Sequence, residues 1–459
     1  MQIDLTTNHF GSLSQNVPEM KLVNLYLAQN PLTPTGFSFV ARPTLSEEFT
    51  LPGTAIRGVY YQQGNISGDQ LLVVVDESLY KVDDNGVSTF IGHIYGGGEC
   101  RFASTIYYIA ILSGGQLYLY DGTNLTTADT PDRIPVKDID TLLNYVIVAI
   151  RGSNQFYWIR PGELEIDPLS FASAEGNPDN IQAVKTTSDE LWLIGNTTTE
   201  VWSASGIADA PFIRITGRIF NLGCIDVAST SKGIKNSLPC LLWVSDSKQV
   251  ILAQGAPSRI SNEYIEEKIR ASSTYHSWFF TRNRNDFYAL TTDQGTFVYD
   301  VTNDRWYKWS SYNSVTWKAS AGVQKNDQLF AIELFGEPKL WKLKNGNKDI
   351  STEWLVCEVS GFIPNPTKKT IPCSLITLFC NTGYSTTYTE APVVELRWSD
   401  DNGANWSNYK QTTLGSRGET NSEVVFRSLG SFMAPGRRIE VRFSGVEDFR
   451  LDYASMNWD

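Results

Sequence analysis

The sequence is poor in the residues that build most metal centres and nucleophilic active sites. Its 459 residues include six cysteines, none in a C-x-x-C arrangement, and three histidines that stand far apart, His9, His93 and His276. So few cysteines do not suggest a disulfide framework, and buried thiols are the simpler interpretation. A zinc site or a serine–histidine–aspartate triad would have to use one of the three histidines. We therefore predict no metal site, no cofactor and no enzymatic activity.

Long hydrophobic runs are also missing. The longest, Leu71–Val75 and Tyr145–Ile150, have the length of strands, whereas a membrane-spanning helix needs about 20 residues. The opening MQIDLTTNHF has neither the basic region nor the apolar stretch of a signal peptide. We expect the chain to be made and folded in a cytosol.

Positive charge is scarce in the first part of the chain. Residues 1–200 contain 23 acidic and 10 basic residues, while residues 201–459 contain 27 and 28. The formal net charge of −12 therefore belongs to the first 200 residues. Such a surface repels a phosphate backbone, which disfavours tight binding of nucleic acid. Ordinary solubility is one explanation of this acidity, and an acidic wall along which a polyanion slides without adhering is the alternative.

Aromatic residues and a repeated hairpin are abundant. The chain has 13 Trp, 21 Tyr and 22 Phe, which suit sheets better than helices. An apolar strand, a short turn and an aromatic-bearing strand recur with a spacing of roughly 40–50 residues, the period typical of propeller blades. The seven copies are Leu71–Gly92, Tyr107–Leu125, Tyr145–Ile159, Glu190–Gly206, Cys240–Gly255, Asp286–Trp309 and Gln328–Leu343.

These patterns predict an all-β protein built around a β-propeller of six or seven blades. We assign residues 51–350 to the propeller, residues 1–50 to an extended N-terminal arm and residues 351–459 to a C-terminal β-sandwich. The arm is rich in proline, and five short strand-like segments follow Cys373. A string of unrelated antiparallel sheets in two sandwiches is the alternative.

Helical signal is confined to the segment Ser261–Ser273. Either Ser261 or Asn262 can cap its N-terminus, and Ile265 and Ile269 lie on one face. We therefore predict one short helix.

One motif of known chemistry occurs in the C-terminal part. The residues Ser399, Asp401, Gly403 and Trp406 match S-x-D-x-G-x-x-W, the Asp-box. Its aspartate bonds turn amides and its glycine permits the tight turn. Asp-boxes are common in sialidase propellers, so a glycan-binding or glycan-cleaving propeller is the alternative function. The motif occurs once, outside the blades, and no arginine triad with a tyrosine nucleophile can be argued from the sequence, so we interpret it as a structural turn.

Four segments, in chain order, resemble a family of phage tail proteins. Val23–Leu45 is similar to the opening of those proteins, which has a V-N-L segment and a strand ending near R-P. Glu190–Gly206 is similar to their strand–turn–strand segment, with Thr198-Thr199-Glu200 at its centre. Ile260–Arg270 resembles their I-S-x-x-x-I-E-x-x-I helix, and Phe297–Trp309 their V-Y-D-…-W blade strand. The family is the packaged-DNA stabilisation protein of short-tailed phages, also called the tail nozzle or tail-needle hub.

The resemblance implies a structural protein of the virion rather than an enzyme. It implies a homo-hexameric tail nozzle below the portal and its adaptor ring (the head–tail connector), which takes part in head–tail assembly, retains packaged DNA and conducts it at genome ejection. The implied partners are that ring, a tail needle and tail fibres or spikes, with DNA enclosed without specific binding and no membrane segment. The implied location is the virion tail, assembled in the host cytoplasm.

Overall fold

Strands make up nearly all of the regular secondary structure. In the computed structural model of the chain, the described residues are 1–3, 5, 21–64, 66, 68–177, 179–350, 353–383, 392–420, 422–446 and 448–457. Their helices are one α-helix, Glu263–Arg270, and two short 3₁₀ turns, Pro131–Arg133 and Val227–Ser229. None of these combines the length and the apolar character that crossing a membrane requires.

Seven blades, each of four antiparallel strands, surround one axis. The first strand of each sheet is innermost, because the first strands of neighbouring sheets contact one another around a closed ring. Blades 1 to 3 consist of Ile56–Gln62, Gln70–Val75, Ser78–Val82 and Ser88–His93; Arg101–Ser104, Ile109–Ser113, Gln116–Tyr120 and Leu125–Ala128; Val136–Leu142, Tyr145–Ile150, Gln155–Ile159 and Phe171–Ser173. Blades 4 to 6 consist of Ile181–Thr187, Glu190–Gly195, Thr199–Ala204 and Phe212–Phe220; Ser231–Lys235, Leu238–Val244, Val250–Gln254 and Ala256–Arg259; Tyr275–Arg282, Asn285–Thr292, Gly295–Asp300 and Arg305–Trp309.

The N-terminal segment completes the seventh blade. Its first three strands are Ala321–Lys325, Gln328–Ile332 and Lys339–Lys344, and its outer strand is Thr44–Thr50, which pairs antiparallel with the third. The ring is therefore closed by strands almost 300 residues apart in sequence. The predicted all-β propeller is confirmed, and the six or seven blades predicted are seven.

A β-sandwich of two sheets follows the propeller. Both sheets bury side chains in one core. The first contains, in order, Leu25–Gln29, Phe37–Ala41, Arg450–Asn457, Leu375–Cys380 and Val424–Arg427, with Gln2–Ile3 also paired to Arg450–Asn457. The second contains Leu22–Val23, Cys357–Pro364, Gly436–Phe443, Val393–Ser399 and Lys410–Thr413. Two small ribbons pair Lys348–Asp349 with Glu353–Trp354 and Ile371–Pro372 with Ser431–Phe432.

Residues of the predicted arm thus belong to both parts of the molecule. Thr44–Thr50 lies in the propeller, while Leu22–Val23, Leu25–Gln29 and Phe37–Ala41 lie in the sandwich. The division into domains at residues 50 and 350 stays a prediction.

The propeller and the sandwich are joined by a continuous sheet and a common core. Leu22–Val23 pairs in parallel with the outer strand of blade 6 and antiparallel with Cys357–Pro364, which makes one nine-stranded sheet. Trp278 and Trp309 of the propeller are buried in the same cluster as Leu25 of the sandwich. The two parts therefore pack as one body rather than as two bodies on a linker.

Candidate functional site

The inner strand of blade 3 places two carboxylates against the neighbouring blade. Asp138 accepts a hydrogen bond from the backbone N–H of Val184 at 2.9 Å, and Asp140 accepts one from Thr186 at 2.8 Å. An inner strand has a free edge towards the axis, so its amides need partners other than a further strand. The two aspartates, 0% and 4% exposed, supply those partners.

Polar and charged side chains contact one another across the axis, between blades that are not neighbours. Lys232 of blade 5 places Nζ 2.6 Å from Asp140 Oδ1 of blade 3. His276 of blade 6 places Nδ1 3.2 Å from Oε2 of Glu99, which directly precedes blade 2. Lys185 of blade 4 makes a further contact with the neighbouring blade 3, with Nζ 2.7 Å from Asp138 Oδ2. Because non-adjacent blades meet only across the axis, the contacts of Lys232 and His276 lie in the central channel of the propeller.

A cavity of about 360 Å³ lies beside the ion pair of Lys232 with Asp140. Tyr60 and Phe102 stack on its wall with ring centroids 5.2 Å apart, and the Tyr60 hydroxyl donates to Ser104 Oγ at 2.8 Å. Burial raises the pKa of Tyr60, so this hydroxyl stays protonated. The lysines that line the cavity, Lys185 and Lys232, are both paired with aspartate. The arrangement braces the blades against each other.

The four Asp-box residues come together in the turn between two sandwich strands, Val393–Ser399 and Lys410–Thr413. Ser399 Oγ donates to Asp401 and accepts the N–H of Gly403, each at 2.8 Å. Asp401 also accepts the backbone N–H of Asn405 at 2.8 Å, and this bond is the largest of the causes that lower the pKa of Asp401 to about 2. The carboxylate is thus held ionised by the turn that it caps.

The last Asp-box residue, Trp406, is half-buried under two arginines. The guanidinium carbon of Arg397 lies 4.6 Å from a Trp406 ring centroid and that of Arg438 lies 5.3 Å away. Gly403 has φ +94°, and a Cβ there would lie 2.4 Å from Nη1 of Arg438. That this turn is purely structural stays a prediction.

The junction between propeller and sandwich holds a buried ion pair that sequence reasoning missed. Arg42 pairs with Asp349, and both side chains are almost fully buried. The guanidinium also donates to Asn24 Oδ1 at 2.9 Å and to the carbonyls of Pro43 and Ser310, each at 2.7 Å. A cavity of about 320 Å³ adjoins this network. In the sequence, Arg42 was noted only as part of the R-P dipeptide in Val23–Leu45, and no ion pair was predicted there.

The two histidines of the described residues, His93 and His276, lie in different surroundings. His276 pairs with Glu99, His93 lies among exposed aromatic rings of blade 1, and His9 lies outside the described residues. Within the described part of the chain, no group of three or more histidine, cysteine or acidic side chains could hold a metal ion.

Comparison with known proteins gives one family. A family model described as bacteriophage P22 Gp10, beta-propeller, matches residues 17–337. No curated protein matches the chain. Among solved structures, virginiamycin B lyase from Staphylococcus aureus is similar with a TM-score of 0.45 and 10% identity, over 65% of this chain and 98% of that one. The Pan2 WD40 domain of Neurospora crassa is similar with a TM-score of 0.43 and 9% identity, over 66% and 95%.

Proposed function

Because the chain belongs to the phage stabilisation family of bacteriophage P22 Gp10, we propose that six copies form a nozzle below the portal and its adaptor ring. The nozzle retains packaged DNA in the virion and conducts it on ejection. The observation that carries this proposal is the family match, which covers more than two thirds of the chain. The role is structural, not enzymatic, and its place is the tail of the virion, assembled in the host cytoplasm.

The DNA path lies between copies rather than within one. The ion pair of Lys232 with Asp140 and the contact of His276 with Glu99 cross the axis of each propeller, so a duplex needs a lumen that several copies enclose. The acidic excess of residues 1–200 supplies a wall that repels phosphate and keeps DNA from adhering. Retention is then steric, by a constriction of the lumen.

The junction suits a part that carries load. The nine-stranded sheet runs from blade 6 into the sandwich without a break, and the two parts bury one core. Force applied to the propeller therefore reaches the sandwich through hydrogen-bonded strands. We propose that the adaptor ring, the tail needle and the fibres or spikes bind to this rigid body.

Reconstitution with the adaptor tests the proposal. The full chain is mixed with portal–adaptor complexes and imaged by electron microscopy, and six copies around a central lumen are the expected result. A chain that stays unbound, or binds with another symmetry, contradicts it.

A DNA-binding measurement tests the electrostatic part separately. Fluorescence anisotropy of a labelled duplex at low salt should show no tight binding by the purified chain. Tight binding would contradict the proposal of an acidic, non-adhering wall.

A further inference from the structure

The outer strand of blade 1 carries a contiguous exposed aromatic surface. Val87, Phe90 and Tyr95 are 61%, 50% and 58% exposed, and His93 is also exposed. The ring centroids of Phe90 and His93 are 5.1 Å apart, and those of His93 and Tyr95 are 5.9 Å apart. We call Val87, Phe90, His93 and Tyr95 the rim patch.

The strand beneath the rim patch is an open edge without the usual protection. Ser88–His93 is the last strand of its sheet and contains no lysine, arginine, aspartate or glutamate. Exposed edge strands of soluble proteins normally carry charge or are covered, because their free amides and carbonyls pair with other chains. Blade 6 shows the covered case, since Leu22–Val23 lies along its outer strand. An uncharged, aromatic, open edge indicates a surface that is covered in the assembled protein.

A matching surface lies on the outer strand of blade 4. Ile213 is 56% exposed, and the side chain of the neighbouring Arg214 is exposed and makes no ion pair or side-chain hydrogen bond with a described residue. Arginine stacks favourably on aromatic rings, and more strongly when the contact excludes water. An apolar side chain beside an exposed guanidinium can therefore pack against the aromatic rings of the rim patch.

The positions of the two surfaces suit contact between copies. Blades 1 and 4 are three steps apart in a ring of seven, which places their outer strands on roughly opposite sides of the propeller. A contact between two different surfaces on opposite sides of a subunit is heterologous, and such contacts generate rings when the rotation closes.

We propose that the rim patch of one copy binds Ile213 and Arg214 on the blade 4 rim of a second copy of this chain, which makes it the lateral contact of the assembly. This inference rests on the proposed ring and names the surfaces that build it. The aromatic rings receive the guanidinium, and the uncharged edge of blade 1 is shielded from other strands.

Site-directed cross-linking tests the contact directly. Two exposed positions, Thr89 on blade 1 and Thr216 on blade 4, are changed to cysteine in separate full-length chains, which are mixed and treated with a short bis-maleimide. The native cysteines of the described residues leave a low background, because five are buried and Cys380 is half-buried. T89C with T216C should give a linked pair, whereas T89C with L238C, exposed on blade 5, should not. Equal or absent linking in the two mixtures overturns the contact.

Substitution gives an independent measure. Phe90→Asp and Arg214→Glu should each weaken association at least about tenfold in sedimentation velocity, as loss of a central contact residue does. Leu238→Asp is the exposed control and should leave association unchanged, and circular dichroism melting confirms that each variant is folded. Variants that associate like the unmodified chain overturn the proposal.

The outcomes separate this contact from the proposed ring. A hexamer that forms without linking Thr89 to Thr216 overturns the contact alone. Linked pairs that never close into a six-fold ring leave the contact standing and contradict the proposed nozzle. A chain that neither links nor associates, alone or with the adaptor, contradicts both.

Discussion

At the scale of single residues, the buried charges of this protein bind particular neighbours. Asp138 and Asp140 bond the edge amides of blade 4, and Arg42 joins Asp349 to two carbonyls and an amide. A buried charge is tolerated when paired and hydrogen-bonded, whereas removing one partner leaves the other uncompensated. These residues therefore fix which strands lie side by side.

Replacing Arg42 tests the junction network. Arg42→Ala should lower the free energy of unfolding by about 3–5 kcal/mol, because the Asp349 carboxylate would remain buried without a counterion. Urea denaturation measures the change. Arg284→Ala is the control, since Arg284 is exposed and without an ion pair among the described residues, and it should change stability by less than about 0.5 kcal/mol. Similar losses in the two variants would contradict the role of the buried pair.

Asp300 predicts a pH dependence of stability. It is fully buried in blade 6, where Asn285, Asn303 and Tyr307 donate to it, and burial raises its pKa from 3.8 to about 6. The folded state therefore holds a proton that the unfolded state releases between about pH 4 and 6. The stabilisation that Asp300 contributes is fully present below pH 4 and is lost as pH rises through about 6. A difference of about two pKa units corresponds to a loss of roughly 3 kcal/mol in the free energy of unfolding.

The difference in unfolding free energy between the unmodified chain and Asp300→Asn isolates this effect, because the other titratable groups contribute equally to both. Chemical denaturation at pH 4 and pH 7 should show the unmodified chain losing stability relative to the variant on going to pH 7. A difference that is independent of pH would contradict the raised pKa.

At the scale of the element, local chemistry specifies hairpins and caps. All seven copies of the repeat correspond to the second and third strands of a blade, and two of them, Leu71–Gly92 and Asp286–Trp309, also include the outer strand. The predicted helix is also present, and of the two possible caps Asn262 is the one used, since its Oδ1 accepts the N–H of Ile265 at 3.0 Å. Ser261 instead donates to Glu266 and accepts the N–H of Val250, a contact that depends on blade 5.

The Asn85-Gly86 turn gives a test at this scale. Gly86 has φ +80°, and a Cβ there would lie 2.1 Å from the ring of Phe49 on blade 7. Gly206 has a similar φ of +77° with open space around it. Gly206→Ala should cost about 1 kcal/mol from backbone conformation alone, and Gly86→Ala should cost clearly more, because it adds a clash with the neighbouring blade. Thermal denaturation measures the loss of stability in both variants, and equal losses would contradict the close packing of Phe49 on Gly86.

At the scale of the whole molecule, the shared core predicts cooperative unfolding. Trp278 and Trp309 of the propeller lie in one buried cluster with residues of both sandwich sheets, and Thr44–Thr50 links the sandwich strand Phe37–Ala41 to blade 7. Neither part can open without exposing the core of the other. Calorimetry should therefore show a single transition, whereas two resolved transitions would contradict the coupling.

The sequence by itself determined the hairpins, their period, the short helix and the family resemblance that the match to residues 17–337 confirms. These follow from contacts between residues close in the chain, where alternation, turn residues and caps act directly. The tertiary structure alone decided that Thr44–Thr50 closes blade 7, that Lys232 reaches Asp140 across the axis, and that Arg42 meets Asp349. Those pairs are separated by 92 to about 300 residues, and aspartates, lysines and arginines of the same appearance occur throughout the chain. Which of these residues contact one another depends on how distant strands pack together in space, and local sequence does not specify that packing.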